Sequence, residues 1–197
     1  MRILEACKQI SEARGERVLV ATMGAMFAFD ALGVTECRLS SVPLMGGAAS
    51  LGLGLALARP EHGVIVVDGD ASLLMQLGGL VTVADRRPAN LIHFVVQNRA
   101  QFAGAANLPV PGGQDVDFCA MALGAGYASA HRFDSADALG QALPALFDAR
   151  GPVFVALEVE PEAAQFGPGK PQPEIPDRQF HRMGVEAEQL GAWYASH

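Results

Sequence analysis

Val64-Ile65-Val66-Val67-Asp68-Gly69-Asp70-Ala71-Ser72-Leu73-Leu74-Met75 runs from four β-branched residues through an Asp-Gly-Asp turn into an apolar, helix-forming segment. Residues 64–68 show no apolar/polar alternation, so they read as a strand buried on both faces, the habit of parallel sheets. Three other runs share that character, at 17–21, 91–97 and 152–158. Between and around them lie helical stretches at 2–14, 25–32, 46–58, 72–86, 115–124 and 135–149. Strands alternating with helices predict a doubly wound parallel α/β sheet with helices on both faces. The composition changes near residue 165, where Gly167, Pro168, Gly169, Pro171, Pro173 and Pro176 crowd together. That predicts an extended arm followed by a short helix at 179–194. The expected organisation is a domain over 1–164 and a tail over 165–197.

Of the 197 residues, 50% are hydrophobic and 18% charged, which supports a packed core and excludes global disorder. Fourteen basic against 21 acidic residues give a net charge of −7, and no Lys/Arg run offsets it, so nucleic-acid binding is not expected. Cys7, Cys37 and Cys119 are far apart, without a Cys-x-x-Cys pair. They indicate neither zinc nor disulfides, and a reduced, cytoplasmic setting is the expectation. Residues 39–58 carry no charge over a length that could span a bilayer. Their Ser, Pro and Gly content and the lack of a basic flank favour a buried, closely packed helix over a membrane segment.

In open parallel sheets, ligands bind beyond the carboxyl ends of the strands. One strand ends in Asp68-Gly69-Asp70-Ala71-Ser72 and another in Gln97-Asn98-Arg99-Ala100, which brings oxygen-bearing Asp70 and Asn98 to neighbouring strand ends. The free N–H groups of a helix beginning near Ser72 would face the same place and suit a phosphate. A carboxylate, a carboxamide and a nearby carbonyl form an incomplete set of hard ligands, suited to Mg²⁺ whose shell is completed by phosphate and water. The same residues also serve ordinary ends, Asp70 as a helix cap and Asn98 as a turn residue. Spacing alone leaves both readings open.

Gly69-Asp70-Ala71 through Met75, with Gln97-Asn98 following 28 residues after Asp70, resembles the Gly-Asp-Gly … Asn-Asn motif of thiamine diphosphate enzymes. Ala71 replaces the motif's second Gly, and Gln97 its first Asn. The resemblance implies that Asp70, Asn98 and the Ala100 carbonyl hold Mg²⁺. Thr22-Met23-Gly24-Ala25 is similar to the family's diphosphate-contacting turn, which assigns Thr22, Gly24, Ala25, Gly69, Ala71 and Ser72 to the diphosphate. Leu44-Met45-Gly46 is similar to the segment that bends the cofactor, with Met45 as the wedge and the Pro43 carbonyl near the aminopyrimidine. Gln101 and Phe102 lie in a loop that overlies the reactive ring in the family. The apolar character of that loop suggests a substrate less anionic than sulfopyruvate or phosphonopyruvate.

The resemblance is strongest to the β subunits of sulfopyruvate decarboxylases and the C-terminal part of phosphonopyruvate decarboxylases. It implies a 2-oxo acid decarboxylase that uses thiamine diphosphate and Mg²⁺. The family's activating Glu belongs to a pyrimidine-binding domain for which the chain has no room. No catalytic residue is therefore expected here, and the implied partner is a separate pyrimidine-binding subunit in a hetero-oligomer. A carboligase or oxidoreductase subunit using the same cofactor, or a non-catalytic protein with a degenerate fold, remain alternatives. Gly52-Leu53-Gly54 lacks the full dinucleotide fingerprint and reads as close helix packing. His62, His93, His131, His181 and His197 are scattered without metal-ligand spacing and read as surface or satisfied histidines.

Overall fold

The computed structural model describes residues 1–41, 44–103, 107–113, 115–161 and 176–197, with side chains of the final helix from 180 onward. Six strands form one parallel sheet: β1 (Val18–Ala21), β2 (Arg38–Ser40), β3 (Val64–Gly69), β4 (Leu91–Gln97), β7 (Ser129–Phe133) and β8 (Val153–Glu158). Their order is β2-β1-β3-β4-β8-β7, and every pairing is parallel. A two-stranded antiparallel ribbon, β5 (Ala100–Gln101) with β6 (Leu108–Pro109), stands beyond the end of β4.

The period-2 geometry of a strand sends alternate side chains to opposite faces. On β3, Ile65 and Val67 enter one core beneath α1 (Ile3–Ala13), α2 (Met23–Ala31) and α7 (Ala136–Asp148). Val64 and Val66 enter the other, beneath α3 (Ala48–Ala58), α5 (Gly79–Arg86) and α6 (Phe118–Ala125). The doubly wound sheet expected from the alternation is thus present. Gly52 shows why α3 carries small residues: a Cβ there would fall 2.2 Å from the Val66 side chain.

Local chemistry sets the helix ends. Arg2 N–H donates to Glu5 at 2.9 Å at the start of α1, and the Asp117 carboxylate accepts from Ala120 N–H at the start of α6. Arg87, in the left-handed region at φ 49°, ends α5.

Four expectations need correction. The helix placed at 72–86 is two helices, α4 (Asp70–Met75) and α5, because Gly78-Gly79 weakens the continuous helix between them. Within 39–58, residues 39–40 end β2 and only Ala48–Ala58 is helix α3, so the described residues there are not one buried helix. The C-terminal helix α8 (Pro176–Ser196) is 21 residues long, not short. Two edge strands, β2 and β7, were not foreseen, since Arg38, His131 and Arg132 interrupt their apolar character. The proposed arm at 165–176 lies outside the described residues up to 175.

Helix α8 packs along the outer edge of β2, with Leu190 and Tyr194 against Val18 and Leu39. Its Glu186 carboxylate accepts from Ser40 N–H at 2.6 Å and from the Ser40 hydroxyl at 3.0 Å. The helix thereby occupies an outward N–H that an edge strand would otherwise leave unpaired. Among the described residues no helix is long and apolar enough to cross a membrane.

Candidate functional site

Strand β3 delivers Gly69 and Asp70, and β4 delivers Asn98, to adjacent points on the carboxyl rim; the register pairs Gly69 with Val96. Asp70 is 2% exposed. One of its carboxylate oxygens accepts from Ala71 N–H at 2.7 Å, and the other from Arg99 N–H at 2.6 Å. The Asp70 carboxylate is therefore seated against the Asn98–Ala100 turn. Asn98 Oδ1 accepts from Ala100 N–H at 3.0 Å, closing that turn. Arg99 sits between them at φ 62°, a left-handed conformation that costs a non-glycine residue energy and presents its N–H to Asp70.

Burial pushes the Asp70 carboxyl above the usual carboxylate range, although the N–H bonds from Arg99 and Ala71 oppose the shift. Asp70 has no ion-pair partner among the described residues. A nearly buried carboxylate hydrogen-bonded by backbone amides, beside a carboxamide oxygen and a backbone turn, offers hard oxygen donors whose charge the nearby Arg99 offsets only in part. That arrangement fits a small divalent cation.

The other expected residues gather on the same rim. Thr22 is buried at the end of β1, and its hydroxyl donates to the Ser41 carbonyl at 3.0 Å. Gly24 and Ala25 lie in the first turn of α2, where N–H groups lack helical partners. Ser72 does not simply line the rim. Its hydroxyl accepts from Gly46 N–H at 2.8 Å and so fastens the Met45-Gly46 turn to α4. Gly46 has φ +84°, and a Cβ there would lie 2.8 Å from Gln76 Cβ, so this turn requires glycine. Met45 is half-buried in that turn. Ala71 is buried and Gly69 faces open space. Gln101 lies in β5, and Phe102 follows it at φ 50° and 49% exposed. Pro43 lies outside the described residues.

The helix anticipated near Ser72 begins instead at Asp70 and has six residues. Its first N–H groups include that of Ala71, already engaged by Asp70, so the short helix contributes less than expected. A hollow of about 320 Å³ lined by Arg17, His62, Asn90 and Phe147 opens at the amino end of the sheet and contains none of these residues. Sequence reading missed Arg99, Ser41 and the pair Asp68 and His93. Ser41 is buried with its hydroxyl unpartnered, and His93 is fully buried with Nε2 unpartnered, which corrects the reading of all five histidines as exposed or satisfied. A charged residue and a histidine inside otherwise apolar strands were the available signal.

The family described as "Thiamine pyrophosphate enzyme, C-terminal TPP binding domain" matches residues 36–157. The chain belongs to this family. Over 146 residues it is 38% identical to a phosphonopyruvate decarboxylase of Streptomyces hygroscopicus, covering 74% of this chain and 36% of that protein. It is 41% identical over 117 residues to the sulfopyruvate decarboxylase subunit beta of Methanothermobacter thermautotrophicus, covering 59% of each. The chain thus spans about a third of the phosphonopyruvate decarboxylase it matches. A solved structure from Mycobacterium smegmatis, assigned to the thiamin diphosphate-dependent enzymes, shares the fold with TM-score 0.68. That likeness covers 82% of this chain and 32% of the other at 18% identity.

Proposed function

We propose that this chain is the diphosphate-binding subunit of a thiamine diphosphate- and Mg²⁺-dependent 2-oxo acid decarboxylase that acts with a separate pyrimidine-binding subunit. The observation that carries the reading is the Asp70 carboxylate, buried without an ion-pair partner among the described residues and seated 2.6 Å from Arg99 N on the Asn98–Ala100 turn. Asp70, Asn98 and the Ala100 carbonyl would hold Mg²⁺. Gly24 and Ala25 on α2, with Gly69, Ala71 and Ser72 on the β3–α4 turn, would face the diphosphate. Thr22 supports that surface by holding the Ser41 carbonyl, and Ser72 holds the turn from which Met45 would bend the cofactor.

The bound cofactor would supply the carbanion that adds to the 2-oxo carbon and the electron sink that accepts the pair released with CO₂. This chain's share is binding and orientation. Leu44, Met75, Phe102 and Leu108 are each about half exposed on elements of the carboxyl rim. Apolar exposure of that kind supports a covering second chain, as does the word "subunit" in the names of the sulfopyruvate decarboxylase relatives.

The test is decarboxylation of sulfopyruvate, phosphonopyruvate and an apolar 2-oxo acid by this polypeptide alone and by its natural assembly. Mg²⁺- and cofactor-dependent release of CO₂ and aldehyde by the assembly alone is expected. Full activity from the single polypeptide would overturn the split arrangement. Acyloin or a reduced acceptor as the product would move the assignment to a carboligase or an oxidoreductase.

A further inference from the structure

Beneath the rim, three polar side chains form a line inside an apolar core. Asp68 is 1% exposed, His93 0% and Tyr127 4%. Phe154 packs edge-on to both aromatic partners, 5.4 Å from the His93 ring and 5.8 Å from the Tyr127 ring. His93 Nδ1 lies 3.1 Å from the Tyr127 hydroxyl. His93 Nε2 lies 3.7 Å from Asp68 Oδ2, and each of these two atoms is buried without a hydrogen-bond partner. The other oxygen of Asp68 accepts from Gly69 N–H at 2.8 Å, one peptide before Asp70.

One arrangement of the hydrogens suits both ends of the line. Burial, with the Asp68 charge beside it, pushes the Tyr127 hydroxyl well above its ordinary value, so it keeps its proton. With that proton donated to His93 Nδ1, the ring hydrogen of His93 lies on Nε2, facing Asp68 Oδ2. A separation of 3.7 Å exceeds a hydrogen bond, and a movement of about 1 Å closes it. Leaving two facing buried groups unpaired has a desolvation cost that an apolar pair would avoid. The sheet thus keeps a line of polar side chains, open between His93 and Asp68, that ends on the backbone carrying Asp70.

We propose that Tyr127, His93 and Asp68 form a positioning relay that fixes the Gly69 peptide and thereby the aim of the Asp70 carboxylate at its metal. The inference rests on the cofactor-site reading above. None of the three residues touches the metal or the cofactor; they act through Gly69, as outer-shell partners orient metal ligands elsewhere.

The test uses the full chain in the assembly in which it purifies from its own cells, with Mg²⁺ titrated calorimetrically at saturating thiamine diphosphate. His93→Phe is expected to weaken Mg²⁺ binding about tenfold and Tyr127→Phe about threefold, the lower part of the outer-shell range. Adding Asp68→Asn to His93→Phe recovers most of the loss. The amide oxygen still accepts from Gly69 N–H, and no unpaired charge remains buried. In ¹⁵N-histidine-labelled protein the His93 Nε2–H resonance shifts when Mg²⁺ and cofactor are added, which a purely structural histidine would not show. Single variants within twofold of wild type, or additive losses in the double variant, would overturn the relay. If His93→Phe does not fold, Tyr127→Phe and the resonance decide. Wild-type protein without Mg²⁺-dependent cofactor uptake would instead overturn the underlying reading, and with it the relay.

Discussion

Carboxylates on the β2 edge and on the β3–β4 rim are treated oppositely. Along the β2 edge, the Arg38 guanidinium donates to Asp30 at 2.7 Å, and Arg182 donates to Asp30 at 2.8 Å and to Glu186 at 3.0 Å. Burial alone would raise the Asp30 carboxyl, but the Arg182 and Arg38 guanidiniums outweigh it and hold it below its ordinary value. On the β3–β4 rim, Asp70 is met by backbone N–H groups alone, and burial pushes its carboxyl up. The clamp is complete within the chain; on the rim Asp70 has no ion-pair partner among the described residues, and the Arg99 charge offsets its burial only in part. Charge paired around buried Arg38 and Glu186 marks where α8 is fastened, and the Asp70 carboxylate without an ion pair at the strand ends marks where a cation would sit.

The largest expected effect breaks the clamp. Arg38→Ala removes a side chain 1% exposed and leaves Asp30 and Glu186 short of a partner, so urea unfolding should show a loss of about 3–5 kcal/mol. On the rim, Asp70→Asn should leave the unfolding midpoint close to wild type. It should weaken Mg²⁺-dependent cofactor binding by at least about 100-fold, or about 2.7 kcal/mol, in a calorimetric titration. A clamp variant that lost cofactor and kept its stability would erase the distinction.

Gly52→Ala offers a control remote from both carboxylate groups. Its new methyl would meet Val66 at 2.2 Å, and a cost of about 1–3 kcal/mol in the same unfolding measurement is expected, without a specific effect on Mg²⁺.

Acid should separate the two regions by sign. A lowered carboxyl such as Asp30 contributes stability that is complete above its ordinary value and is lost as pH falls through its folded value. A raised one such as Asp70 favours the fold below its ordinary value and loses that contribution as pH rises through its folded value. Between neutrality and about pH 5, apo-protein stability should therefore rise slightly in wild type and stay flat in Asp70→Asn. Only below about pH 4 should α8 loosen, measured by proteolysis within 176–197.

How much of this was legible in the sequence follows the same division. The four central strands were readable because each opens with a run of at least four residues that no charge interrupts. Strands β2 and β7 were hidden because Arg38 and Arg132 look like loop residues, and Arg38 becomes a core residue only through partners such as Asp30. Asp70 and Asn98 stood out by type and by position after strands. Ser72 holding Gly46 across 26 residues, and His93 facing Asp68, depend on sheet register and helix placement, which a linear pattern does not reveal.

The most direct test of the central claim is native mass spectrometry of the tagged protein, gently purified from its own cells, beside the Asp70→Asn variant. The account predicts a complex with a second chain that carries the mass of thiamine diphosphate and Mg²⁺, and the same complex without that mass in the variant. A wild-type chain bearing neither partner nor cofactor, or a variant that keeps its full load, would contradict it.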